Sequence, residues 1–259
     1  RYITTTTRNV LMVKILGISG KKQSGKNTMA NHLHGEILKK NGSIEDFKID
    51  KNGSLVISTS VGGDVEHGIL DITRKDNEFA EYAHIHMWPY VKLYSFADGL
   101  KGLCMEFFDL SFDQVYGTNE QKNTMCQVFW EDLPTKTKNK GNMTSRELLQ
   151  YFGTDIMRKM LENVWVNSTI KKILREQSGL AIIADLRFPN EVEVVKKNNG
   201  KVVRLTRDTL EDSHISETAL DKDNFDWNNF DFIVDNSKGG VTNFCKEIDK
   251  LFNKMEVTC

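Results

Sequence analysis

The sequence predicts an α/β fold around a mainly parallel five-stranded sheet, and three observations carry the prediction. Five short apolar runs, Val13–Ser19, Val91–Ala97, Leu180–Asp185, Lys201–Thr206 and Phe230–Asp235, read as strands. Stretches of helical spacing lie between them, which fits parallel strands joined by right-handed crossovers. The first run passes through a glycine-rich stretch, residues 20–28, straight into a helix-like pattern with Met29, Leu33 and Ile37 four residues apart.

That stretch, Gly20-Lys21-Lys22-Gln23-Ser24-Gly25-Lys26-Asn27-Thr28, has the strand–loop–helix setting of a phosphate-binding loop. Glycines let the backbone curl until successive N–H groups point at one anion. The helix N-terminus adds the positive end of its dipole. Lys26 is placed to reach outer phosphates, and a hydroxyl after it can ligate Mg2+. The strict pattern has Ser or Thr directly after the lysine; here Asn27 stands there and Thr28 follows.

Asn41-Gly42 stops the first helix. Residues 45–75 read as a small antiparallel β insertion, with Asn52-Gly53 as a type I′ hairpin turn and no catalytic residues. A helix over 76–90 precedes the second core strand, and Asp98 and Lys101 fall at that strand's C-terminal end, where parallel sheets bind ligands. Residues 102–122 read as helical and 123–143 as a mobile loop. Thr144-Ser145-Arg146-Glu147 is a capping box. It opens a helix that turns Leu148, Leu149, Phe152, Ile156, Met157 and Met160 inward and leaves Arg146, Gln150 and Arg158 on another face. Leu180–Asp185 is an apolar strand ending in an acid, the form of a strand whose aspartate helps hold Mg2+. The last helix carries Val241, Phe244, Ile248 and Leu251 on one stripe.

Composition narrows the function classes. The 259 residues allow one large α/β domain, read here as 12–259, with residues 1–11 a disordered or upstream extension and Met12 the start. A net charge of −1 gives no global field toward nucleic acid or an acidic membrane surface. No apolar run approaches the ~18 residues of a membrane span. Cys104, Cys126, Cys245 and Cys259 form no C-x-x-C pair and fit a reduced, cytoplasmic protein.

Several segments together resemble the phage deoxynucleotide (deoxynucleoside monophosphate) kinase family. They are residues 20–28, Ser95-Phe96-Ala97-Asp98-Gly99-Leu100-Lys101, Tyr116-Gly117, residues 146–155, Trp165-Val166, residues 185–191 and His214-Ile215-Ser216-Glu217, in the expected order. One departure is Gly99, where relatives often carry proline. The resemblance implies a three-layer P-loop nucleoside monophosphate kinase-like fold with strand order 2-3-1-4-5. It also implies ATP and Mg2+, and phosphorylation of deoxynucleoside monophosphates to diphosphates for DNA precursor supply in the cytoplasm, a host's if the chain is phage-encoded. In that scheme Gly20, Lys22, Ser24, Gly25, Lys26, Asn27 and Thr28 hold the donor, and Thr28 and Asp185 serve the metal. Arg187 bridges the reacting phosphates, Arg207 begins a lid-like segment over 207–229, and Asn236 lies near the donor base. Acceptor binding falls to Asp98, Lys101, Arg146, Gln150, Arg158, Trp165 and Glu191. Guanidinium forks match phosphate oxygens, an amide can read a base edge, and an indole can stack on a base. The partner is then a small-molecule nucleotide, with no nucleic acid or membrane involved and a homodimer left open.

Two rival functions stay open. One is another small-molecule P-loop kinase, of the dephospho-coenzyme A kinase kind; the other is a P-loop NTPase module that switches a partner. The Asn-Lys-x-Asp signature of guanine-specific switches is missing, since Asn139-Lys140-Gly141-Asn142 lacks the aspartate. Asp185 also reads as a strand-end turn residue, Arg146 and Arg158 as solvated helix residues, and Trp165 as core.

Overall fold

Strand β1 (Lys14–Ser19) meets the demand on a strand covered on both faces: Ile15, Leu16 and Ile18 are all buried. The computed structural model describes residues 13–61, 64–134, 139–207, 218–237 and 239–255. β1 pairs in parallel with β8 (Leu180–Leu186) on one side and β9 (Lys201–Thr206) on the other. β5 (Val91–Tyr94) extends the sheet beyond β8, and β10 (Phe232–Asp235) beyond β9, again in parallel. The sheet therefore runs β5-β8-β1-β9-β10, which is 2-3-1-4-5 when only the core strands are counted.

Helix α1 (Lys26–Lys40) buries Met29, Leu33 and Ile37, as the spacing predicts, and also Ala30, His32, His34, Gly35 and Leu38. The buried face is wide because the β insertion covers α1 as well. A Cβ at Gly35 would overlap the ring of Phe47, so that ring lies against bare backbone. Phe47 belongs to β2 (Asp46–Ile49), which forms an antiparallel meander with β3 (Leu55–Val61) and β4 (Asp64–Ile69).

The β2–β3 turn differs from the type I′ expectation. Ile49 pairs with Leu55, so residues 50–54 form the loop. The Asp50 carboxylate accepts from the N–H groups of Asn52 (2.9 Å) and Ser54 (2.8 Å), and Gly53 has φ +85° while Asn52 is not left-handed. An aspartate-closed turn replaces one that needs two left-handed residues. Helix α2 (Asn77–His86), capped by Asp76, then leads to β5.

The chain divides into two compact units where the sequence reading has one domain. Residues up to Tyr94 and from Ile170 make the first; Ser95–Thr169 makes the second. The first is built around Leu16, Ile18, Met29, Leu33, Ile182 and Val203, the second around Cys104, Leu110, Val115, Met143 and Leu148.

In the second unit the expected 102–122 helix starts earlier and is broken twice, into α3 (Ala97–Phe108), α4 (Phe112–Tyr116) and α5 (Asn119–Lys122). Ser111 with Gln114 and Thr118 with Gln121 form the capping boxes that break it. The expected mobile loop 123–143 instead contains β6 (Met125–Phe129), antiparallel to β7 (Asn142–Thr144). Its alternation is disguised because Cys126 faces inward while the apolar Met125 and Phe129 face solvent.

The Thr144 capping box is present and opens α6 (Ser145–Gln150). The chain continues as a π-helix, Tyr151–Arg158, and then α7 (Val164–Glu176). The wider π turn shifts the side-chain phase, so Ile156 and Met160, expected inward, are exposed, while Leu148 is the buried anchor.

Helix α8 (Pro189–Lys197) follows β8, and α9 (Gly240–Lys254) closes the described chain, burying Phe244, Ile248 and Leu251. His32 Nε2 and Asp249 Oδ1, 2.6 Å apart, join α1 to α9. Residues 1–11 and residues 208–217 of the expected lid, including His214 and Glu217, lie outside the described residues. Among the described residues no helix is long and apolar enough to cross a membrane.

Candidate functional site

β1 ends at the buried Ser19, and the chain curls from there into α1. Left-handed backbone at Gln23 (φ +63°) and Gly25 (φ +101°) makes the curl. A Cβ at Gly25 would stand 2.6 Å from Asn236 Nδ2, so glycine is required there on both counts. A Cβ at Gly20 would likewise overlap the Ser24 hydroxyl. Lys26, the first residue of α1, folds back over the loop, and its Nζ donates to the carbonyl oxygens of Gly20 (2.5 Å) and Lys21 (2.6 Å). Its charge thus lies where an anion cradled by the loop needs a cation. The Ser24 hydroxyl is buried and has no hydrogen-bond partner among the described residues, and Lys22 and Asn27 are exposed.

Side chains from distant strands brace this loop. Asn236, just after β10, donates its side-chain amide to Ser24 O (2.9 Å) and its backbone N–H to Thr206 O (2.8 Å). Arg207, just after β9, reaches Gln23 O at 3.5 Å. A further set was not anticipated from the sequence. Buried Arg204 of β9 donates to Ser19 Oγ (3.0 Å) and to Asp221 Oδ1 (3.0 Å), and Asp221 Oδ2 pairs with Lys21 Nζ (3.1 Å). The available signal is Arg204 itself, a charge inside the apolar run Val202-Val203-Arg204-Leu205, which burial obliges to be paired.

Asp185 and Arg187 are half-buried at the end of β8, where Leu186 pairs with Ser19, so the loop begins beside them. The backbone N–H groups of Arg187 (2.7 Å) and Phe188 (3.1 Å) donate to Glu191 Oε2. Glu191 is buried in the first turn of α8. It thereby fixes the backbone at Arg187 and Phe188.

Thr28 turns its hydroxyl to the insertion: a Cβ at Gly53 would overlap Thr28 Oγ1, and Asn31 Nδ2 donates to Gly53 O at 2.8 Å. The β2–β3 turn is therefore docked on the first turns of α1. Asn27, Thr28, Asn31, Ser54 and Asp71 help to line a cleft of about 350 Å³ there.

The acceptor residues expected from the sequence all lie in the second unit, Glu191 excepted. The Tyr116 hydroxyl donates to Asp98 Oδ1 (3.2 Å), and Lys101 Nζ stands 4.2 Å from the centroid of the Tyr116 ring. Burial, and then the Asp98 charge, push the Tyr116 hydroxyl well above its usual pKa. Arg146 donates to Asn119 Oδ1 (2.8 Å). Burial and the charge of Arg146 lower the pKa of Lys122, so the two cations are neighbours. Gln150 opens onto a pocket of about 450 Å³ shared with Trp130, Glu147, Tyr151, Asp155 and Lys159. Arg158 is half-buried at the end of the π-helix. Trp165 is 5% exposed and its indole N–H donates to Gly153 O (3.1 Å), so it is packed, and the open stacking face expected of it is not there.

A family model for deoxynucleotide monophosphate kinase matches residues 14–244. A protein of Acanthamoeba polyphaga mimivirus, provisionally named a deoxynucleotide monophosphate kinase, is 32% identical over 143 residues, 49% of this chain and 67% of its own. The deoxynucleoside-5′-monophosphate kinase of Escherichia phage T5 is 29% identical over 116 residues, 40% of this chain and 46% of its own. The match thus spans about two thirds of one relative and under half of the other.

Proposed function

Since the chain belongs to the deoxynucleotide monophosphate kinase family and is thus a phosphotransferase, we propose that it transfers the γ-phosphoryl group of ATP to a deoxynucleoside monophosphate, giving the diphosphate for DNA precursor supply in the cytoplasm. The observation that carries the donor half is Lys26 lying across a curled loop at the C-terminal end of β1. The relatives' names supply the acceptor class.

Loop N–H groups and Lys26 hold the donor phosphates, with Lys22, Ser24 and Asn27 alongside. Asn236 keeps the loop in shape, and Arg207 and Arg187 add positive charge at neighbouring strand ends. Mg2+ fits Asp185, a half-buried carboxylate next to the loop. Thr28 fits it less well, because its hydroxyl packs against Gly53. When bound, the metal supplies charge neutralisation on the phosphates. Lys101, Arg146 and Arg158 are the cations for the acceptor phosphate, and Gln150 reads its base. With Trp165 enclosed, the aromatic wall passes to Trp130 and Tyr151 of the Gln150 pocket.

No general base is needed. An acceptor phosphate oxygen is already ionised near neutral pH, so the residues have only to align two phosphates, neutralise them and exclude water. The test is ADP and product formation from ATP and Mg2+ with each of the four common deoxynucleoside monophosphates, with dephospho-coenzyme A, and with no acceptor. Diphosphate formation with a deoxynucleoside monophosphate is expected. Turnover with dephospho-coenzyme A alone, or ADP release without acceptor, would transfer the assignment to the corresponding rival.

A further inference from the structure

We propose that Lys21 is a second phosphate-binding lysine of the loop, and that Asp221 is a built-in competitor for it, holding Lys21 until the donor's phosphates displace the carboxylate. The proposal rests on the reading of the loop as the donor site. It starts from the inequality of the two cations that share Asp221. Arg204 is 4% exposed and is anchored at Ser19. The Lys21 side chain is 33% exposed and rises from the loop itself. A buried guanidinium has nowhere else to go, because unpairing it leaves a charge in the core. A half-exposed ammonium on a flexible stem leaves its partner at little cost. Asp221 therefore has one permanent cation and one exchangeable one.

The place of Lys21 decides what it is exchanged for. Its backbone carbonyl accepts from Lys26 Nζ, so Lys21 is part of the same cradle as the catalytic lysine candidate. A polyphosphate in that cradle carries several negative charges within reach of the Lys21 stem, whereas Asp221 carries one, already shared with Arg204. The phosphates win the lysine, and Asp221 stays satisfied by Arg204. Until that happens, and again when product leaves, the carboxylate opposes the anion. Asp221 thus holds nucleotide affinity below what the loop alone would reach, which suits an enzyme that must release ADP each cycle.

Calorimetric titration with ADP tests this, on wild type, Asp221→Asn, Lys21→Met and the double variant, each checked by thermal melting. Asp221→Asn should bind ADP about three- to tenfold more tightly, and Lys21→Met about three- to tenfold more weakly, the range of one partly exposed ion pair. In the Lys21→Met background, Asp221→Asn should change affinity less than about twofold. A residue with only a structural role would weaken binding when replaced, so tighter binding is the distinguishing sign. Unchanged or weaker binding by a folded Asp221→Asn variant overturns the proposal. If that variant does not fold, Lys21→Met decides alone: weaker ADP binding at a wild-type melting temperature supports it, and unchanged binding overturns it. A wild-type protein that binds no ADP overturns the donor-site reading as well, whereas one that binds while both variants match it overturns this proposal only.

Discussion

The phosphate loop and the helix opened by Thr144 are held in opposite ways. Besides Lys26, which folds back onto the loop, the braces on it come from far along the chain: Ser19 to Arg204 spans 185 residues, Ser24 to Asn236 spans 212 and Gln23 to Arg207 spans 184. The residues of α6 lean on near neighbours, Thr144 on Glu147 three residues away and Arg146 on Asn119 at 27. In the proposed function the loop would bind with its backbone, so its geometry has to be imposed by the whole sheet. In the proposed function the helix would bind with side chains, so its geometry depends on where a local turn points them. Damage to the first should be severe and chemical; damage to the second should be graded and specific to the acceptor.

The strongest way to break the loop's side of this contrast is Lys26→Ala. Turnover should fall about a hundred- to a thousandfold, the loss typical of one preorganised donor to transition-state charge. The melting temperature should hardly move, because the braces from Ser19, Ser24 and Gln23 persist. Near-normal turnover in a folded variant would remove Lys26 from the chemistry.

Next in size is a pH effect on the helix that carries the loop. His34 on α1 is buried, donates its Nδ1–H to Ala30 O (2.8 Å), and burial lowers its pKa from 6.5 to about 4. The folded state therefore resists the proton that the unfolded state accepts. The stabilisation is complete above pH 6.5 and is lost as pH falls from there to about 4, up to about 3 kcal/mol in all. Melting curves over that window should show a steeper acid loss for wild type than for His34→Gln. Equal slopes would mean that His34 takes up its proton without cost to the fold.

On the acceptor side, Arg146→Ala should raise KM for the monophosphate about tenfold, one charge-assisted contact, and leave KM for ATP alone. A fall in kcat with both KM values fixed would instead make Arg146 part of the transition-state clamp. The smallest effect is expected at Trp165. Because the indole is enclosed, Trp165→Phe should change the monophosphate KM by less than about twofold. A tenfold rise would show that the acceptor base reaches it after all.

The contrast also explains what could be read in advance. The core strands were legible because strands buried on both faces carry apolar runs, as residues 15–18 in β1, residues 180–184 in β8 and Val202-Val203 with Leu205 in β9 do. The loop was legible because Gly25 has to be glycine and Lys26 has to follow it. Arg204 was passed over because one charge in such a run reads as noise until Ser19 and Asp221 are seen on either side of it. The phase of Ile156 and Met160 was misread because no residue pattern in 151–158 announces a π-helix over an α-helix. β6 escaped because Met125 and Phe129 put apolar side chains on its solvent face. Nor did the sequence reveal that Gly35 and Phe47 interlock, since that is a contact between a helix and an insertion with no periodicity of its own.

The order of the central sheet has a consequence for synthesis. Both strands beside β1 are made long after it, β8 from residue 180 and β9 from residue 201. At ribosomal speeds of ~5–20 residues per second, roughly 10–40 s separate Ser19 from its partner Arg204. Throughout that interval the loop lacks its Arg204, Arg207 and Asn236 contacts, and for most of it β1 lacks both of its sheet neighbours. The loop that comes first in the sequence is thus among the last parts to acquire a shape, and a nascent chain should gain the ability to bind nucleotide only near the end of its translation.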